Sequence, residues 1–172
     1  GPIGLVTALL AAETAAEVAI TARYPHQHLL ALALGANSVH VPGSPELRAW
    51  ARSNPIDVVI ETVGGNADTL AEAVSIVRPG GTVVALGLFT ADVPISARKL
   101  VNQEVRLIGS VLYGHESGRS EFGDAVASLE RHAGALASLQ THSFPLEEVN
   151  EAFAHAANKR MGAIKVSIEV SP

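Results

Sequence analysis

A chain of 172 residues can bury one domain's core and is too short for two full domains. With 48% hydrophobic and 17% charged residues it falls among globular chains and not disordered ones. Its net charge of −5, with 12 basic residues that never form more than an adjacent pair, speaks against a general nucleic-acid binder.

The apolar runs end within about eight residues at a charge, glycine or proline, too soon to span a bilayer. The absence of cysteine removes disulfides and thiolate metal sites and suits a cytoplasmic protein. No repeat of 20–50 residues and no low-complexity tract is present.

Gly1-Pro2-Ile3-Gly4 leads into an apolar helical run. A glycine turn opening a helix offers unpaired backbone N–H groups and the positive end of a macrodipole, which suits a phosphate. The four residues read as the end of a G-x-G-x-x-G fingerprint whose opening glycine, and the strand before it, lie upstream of residue 1. Residues 4 to 14 carry small and apolar side chains on most sides, as in a helix packed on a sheet.

Glu17 to Ala22 reads as a short buried strand. Pro25 opens a helix that runs through Leu34 and stops at Gly35, and Ser38–Val41 is the next strand. Ser44-Pro45-Glu46 combines an N-cap serine, proline at the first position and an acid in the first turn. Asp57–Glu61 is a strand, followed by Thr62-Val63-Gly64-Gly65 and a helix over about Asp68 to Val77.

Arg78-Pro79-Gly80-Gly81 should break that helix ahead of the strand Thr82–Gly87. Val93–Ser96 fits a short edge strand, with a helical turn to Asn102, and Val105–Leu112 a further strand. Residues 119–133 and Glu147–Asn158 read as helices, and Ala163–Val170 as a last strand.

Strands separated by helices imply an α/β fold, a doubly wound Rossmann-type parallel sheet with helices on both faces. Ligands of such sheets sit beyond the carboxyl ends of the strands. Gly1, Gly4, Ala22-Arg23-Tyr24, Thr62-Val63-Gly64 and Gly87-Leu88 all fall just past predicted strand ends.

Five pieces in this order resemble the cofactor-binding domain of the medium-chain dehydrogenase/reductase superfamily, the zinc-dependent alcohol, polyol and threonine dehydrogenases. They are Gly1-Pro2-Ile3-Gly4-Leu5, Leu34-Gly35-Ala36, Asp57 through Gly64, Arg78-Pro79-Gly80-Gly81 and Leu107-Ile108-Gly109-Ser110. The resemblance implies that residues 1–172 are a nucleotide-binding domain preceded in the parent protein by a barrel-like catalytic domain. That missing domain would hold any catalytic zinc and choose the alcohol or carbonyl substrate.

It further implies that Gly1 admits the pyrophosphate, with the Ile3 and Gly4 amides facing it. Thr62, Val63 and Gly64 would flank the adenosine side and the nicotinamide ribose, and Gly87, Leu88, Ser110 and Leu112 would line the nicotinamide. The place of the acid that binds a ribose 2′-hydroxyl falls on Ala22. With Arg23 offering a fork to a 2′-phosphate and Tyr24 a surface for adenine, NADP is expected over NAD. Family members pair an edge strand across a two-fold axis, so a homodimer or tetramer through Val93–Ser96 is expected, with Pro94 tolerable only at such an edge.

Other signals are weaker. His26 and His28, two apart, lie on different sides of a helix and suit capping or solvation better than a metal. His40 reads as a packing residue. His115-Glu116 lacks a second histidine at metalloprotease spacing, and Ser110, Ser117 and Ser120 lack a nucleophile elbow. A methyltransferase using S-adenosylmethionine shares the Arg-Pro-Gly-Gly turn but normally has an acid where Ala22 stands. A nucleotide-sensing domain without chemistry would resemble the chain equally well.

Overall fold

Gly1 caps the first helix, α1 (Pro2–Ala11), in a computed structural model that describes residues 1–112, 114–116 and 118–170. The chain divides into two units, Gly1–Val39 with Tyr113–Pro172, and His40–Leu112. In the first unit, α1 is followed by β1 (Ala19–Thr21), α2 (Pro25–Ala33) and β2 (Ser38–His40), the last ending on the first residue of the second unit. β1 pairs with β2.

Proline at N1 starts α2, and the buried Gln27 side chain turns back to accept from the Arg23 and Tyr24 amides at 3.2 and 3.3 Å. Gly35 ends the helix at φ +96°, with a Cβ position 3.1 Å from Ala12, so the backbone turn and its close neighbour both favour glycine.

The second unit opens on α3 (Pro45–Ser53), where Ser44 Oγ accepts from Leu47 N at 3.1 Å and Glu46 occupies the first turn. Then come β3 (Ile56–Glu61), α4 (Thr69–Ile76), β4 (Val77–Ala85), α5 (Ala97–Asn102) and β5 (Arg106–Gly109). The three strands run parallel in the order β3-β4-β5. Ala73, Val74, Val77, Val83 and Val105 form the buried cluster beneath them.

Two expectations fail here. Arg78-Pro79-Gly80-Gly81 does end the helix, α4 stopping at Ile76, but it lies inside the strand and not ahead of it: β4 begins at Val77 and the register shifts between Ile56↔Val77 and Val58↔Thr82. The reason is a bulge. Pro79 has no N–H to place in a ladder, and Gly80 at φ +70° donates to Gln103 O at 2.7 Å instead.

Val93–Ser96 forms no strand within the chain. It stays extended, with Ile95 packed on the core cluster, and runs into α5, whose cap Ser96 accepts from Lys99 N at 3.3 Å. β5 is also shorter than expected, ending at Gly109.

The chain then returns to the first unit through an antiparallel pair, β6 (His115–Glu116) and β7 (Arg119–Ser120). α6 (Glu121–Arg131) and α7 (Ala133–Ala137) divide the single helix expected over 119–133 at His132, which caps both. β8 (Gln140–Pro145), α8 (Val149–Ala157) and β9 (Lys165–Glu169) complete it, with β8 and β9 parallel and α8 packed on both. The core of this unit joins Leu5, Ala31, Leu34 and Ala36 from the amino part to Leu139 and Ile164 from the carboxyl part.

Candidate functional site

Two groups of predicted residues lie in the first unit. Leu5 N donates to Gly1 O at 3.1 Å as the first bond of α1, so the Ile3 and Gly4 amides before it have no intrahelical acceptor. A Cβ on Gly1 would meet nothing within 4 Å. No acid occupies the first turn to fill the place of an anion.

Lys159, in the single turn Lys159–Met161, lies close enough to Gly1 to add positive potential at the start of α1. This cation was not predicted, because almost the whole chain separates it in sequence from Gly1.

At the turn from β1 to α2, Ala22 is buried and Arg23 exposed. The Arg23 guanidinium has no partner among the described residues, while its backbone N–H is fixed by Gln27. His28 Nε2 bonds Ala22 O at 2.8 Å, the capping role expected of it. The Tyr24 ring stacks on His26 with centroids 5.7 Å apart and planes 13° from parallel. His26 Nε2 is buried with no hydrogen-bond partner among the described residues, and burial pushes its pKa below the usual histidine range.

The second unit carries the loops at the carboxyl ends of β3, β4 and β5. Their organising side chain is Glu61, 4% exposed at the end of β3. Its Oε1 accepts from Val63 N at 2.7 Å, Gly64 N at 3.1 Å and Thr69 Oγ1 at 2.6 Å, while Oε2 has no hydrogen-bond partner among the described residues. Glu61 O also accepts from Leu86 N and Gly87 N at 2.8 and 3.1 Å. One residue thereby ties both loops.

The fit is tight enough to dictate glycine. Gly64 has φ +62° and a Cβ position 2.5 Å from Leu88 O; a Cβ on Gly87 would lie 2.4 Å from Glu61 Oε2 and 2.4 Å from Gly64 N. Gly65 N donates to Leu88 O at 2.7 Å, and Ser110 N to Ala85 O at 3.0 Å. Thr62, Val63, Gly64, Gly87, Leu88 and Ser110 are therefore brought to one end of one sheet, with Leu112 following β5. Val63, Leu88, Val111 and Leu112 are 65%, 72%, 67% and 71% exposed, an apolar surface left open where such sheets bind ligands. Glu61 was read only as a strand end, because the sequence does not show that a terminal carboxylate turns inward.

No group of three or more His, Cys, Asp or Glu among the described residues could hold a metal ion. The residues present do not fit a zinc site. His40 packs on Trp50 with ring centroids 4.5 Å apart, as expected of a packing residue. Ser117 and the side chains of His115 and Glu116 lie outside the described residues.

Parallel strands alternating with helices, and glycine loops at their carboxyl ends, define a Rossmann-type domain. A family model described as zinc-binding dehydrogenase matches residues 2–131. The chain belongs to that family. An alcohol dehydrogenase of Cupriavidus necator is 27% identical over 177 residues, covering 98% of this chain and 47% of that protein.

An L-arabinitol 4-dehydrogenase of Aureobasidium melanogenum is 32% identical over 105 residues, 61% of this chain and 27% of that one. The solved structure of a provisionally assigned zinc-binding dehydrogenase from Sinorhizobium meliloti 1021, bound to NADP, superposes with a TM-score of 0.79 at 27% identity, covering all of this chain and 50% of that one. The chain spans about half the length of the curated alcohol dehydrogenase it matches.

Proposed function

We propose that this chain is the cofactor-binding part of a longer oxidoreductase that transfers a hydride between NADP and an alcohol or carbonyl substrate. The observation that carries the choice of cofactor is Arg23, whose guanidinium has no partner among the described residues, beside a buried, uncharged Ala22. An acid there would bind a ribose diol, whereas an arginine fork suits a 2′-phosphate. NAD is the alternative.

In this reading the Ile3 and Gly4 amides, with Gly1 leaving room and Lys159 adding charge, take the pyrophosphate. Arg23 and Tyr24 take the adenosine ribose and ring. Thr62, Val63 and Gly64 flank the adenosine side and the nicotinamide ribose, and Gly87, Leu88, Ser110 and Leu112 line the ring and keep water from it. The bound nicotinamide supplies the hydride chemistry; the chain's own groups bind and orient. A domain preceding Gly1 supplies the substrate pocket and any zinc.

Support comes from the names of the relatives, alcohol and polyol dehydrogenases, and from the NADP of the Sinorhizobium protein. A homodimer or tetramer is part of the proposal. The extended Val93–Ser96, with Pro94 and Ser96 exposed, has free edges that a second copy could pair.

The test is NADPH titration into the full-length protein, followed by a screen of alcohols monitored by nicotinamide absorbance. Micromolar binding and alcohol-dependent reduction are expected; a folded protein that binds no dinucleotide would contradict the proposal. Light scattering that finds only monomer would remove the oligomer.

A further inference from the structure

The second unit has another end. At the amino ends of β3, β4 and β5, opposite the loops built on Glu61, a pocket of about 520 Å³ is lined by Arg48, Arg52, Arg78, Lys99 and Gln103. An adjoining pocket of about 330 Å³ shares Ser75, Lys99 and Gln103 with it and adds Arg98. Five of the chain's 12 basic residues thus line two neighbouring pockets, and none of its 17 acids does, although the chain's net charge is −5.

The cations are not equivalent. Arg78 Nε is held by Asp57 at 2.6 Å, and Lys99 Nζ donates to the Ser75 carbonyl, so two positions are fixed in advance. Burial pushes the Lys99 pKa down, a cost that an anion would offset. Arg48 and Arg52 stand one helical turn apart on α3, a spacing at which like charges repel, and neither has an ion-pair partner among the described residues. Gln103 Oε1 is buried with no donor among the described residues. A ligand hydroxyl fits that acceptor, and phosphate oxygens fit the arginine forks.

We propose that this pocket binds a small phosphate-bearing anion, at a site separate from the one proposed for the dinucleotide. β3 alone, spanning about 16 Å, separates the pocket from Thr62–Gly64. The inference does not depend on the proposed cofactor, because its residues take no part in that reading.

The test is calorimetric titration of inorganic pyrophosphate, and in a parallel arm citrate, into the full-length protein. Wild type is expected to bind pyrophosphate more tightly than citrate. Arg48→Ala/Arg52→Ala should weaken pyrophosphate about tenfold or more and leave NADPH affinity unchanged. Arg52→Lys, which keeps the charge and loses the fork, should fall between. Circular dichroism of each variant shows that it is folded.

No pyrophosphate binding by wild type, or equal binding by the double variant, would overturn the site. Citrate bound as tightly as pyrophosphate would overturn its phosphate preference. Loss of NADPH affinity in the double variant would overturn its separateness.

Discussion

The loops after β3 and β4 and the turn after β1 both lie past strand ends, yet they are built in opposite ways. The first is held by backbone: Glu61 takes two loop amides on one oxygen, Leu86 and Gly87 bond to its carbonyl, and glycines pass where no Cβ fits. The second presents side chains, an exposed Arg23 and a Tyr24–His26 stack, on a frame fixed by Gln27. A surface made of backbone is hard to alter without unfolding. One made of exposed side chains can change its ligand preference by single substitutions. In the proposed function, the first would receive the reacting ring and the second would choose between cofactors.

The largest effect should come from removing the carboxylate that ties the loops. Glu61→Ala leaves buried amide and hydroxyl donors without an acceptor and is expected to cost about 3 kcal/mol or more, read from urea midpoints. Glu61→Gln keeps one acceptor oxygen and places its amide toward the side now without a partner, so about 1 kcal/mol is expected. Equal losses for both would mean that shape, not hydrogen bonding, ties the loops.

Gly87→Ala comes next, at about 1–3 kcal/mol, because its Cβ would meet Gly64 backbone, which yields less easily than the Glu61 side chain. Wild-type stability in that variant would show the loops to be loose.

Smaller effects are expected in the first unit. Lys159→Ala should weaken NADPH binding several-fold at low salt, by roughly 1 kcal/mol, and the difference should shrink as ionic strength rises. A salt-independent loss would point to packing instead.

The smallest is a pH effect. Burial depresses the His26 pKa in the folded state, so that state binds fewer protons than the unfolded chain. Stability from this source is complete above the ordinary histidine pKa of about 6.5 and falls as pH drops through that value toward the lowered one. Wild type should therefore lose slightly more Tm than His26→Gln between about pH 7.5 and about 5.5. Parallel pH profiles would remove His26 as the cause.

Much of the fold was legible because its signals are local. Pro25, Gly35 and the Ser44-Pro45-Glu46 start each act within one helical turn, and all three perform as read. β8 was missed because Gln140-Thr141-His142-Ser143 is polar and shows its strand character only when paired with β9. The Arg78–Gly81 bulge depends on Gln103 O, a partner more than twenty residues away.

The same division runs through the candidate site. Gly64 and Gly87 were visible as glycines, but the reason for them, the inward turn of Glu61 and the closeness of Leu88, exists only in three dimensions. Lys159 was invisible because no spacing rule links the two ends of a chain.

The central claim is tested most directly by titrating NADPH and NADH into the full-length protein and into Arg23→Ala. The account predicts that wild type prefers NADPH and that the substitution weakens NADPH about tenfold while leaving NADH nearly unchanged. Unchanged NADPH affinity in Arg23→Ala, or a wild-type preference for NADH, would contradict it.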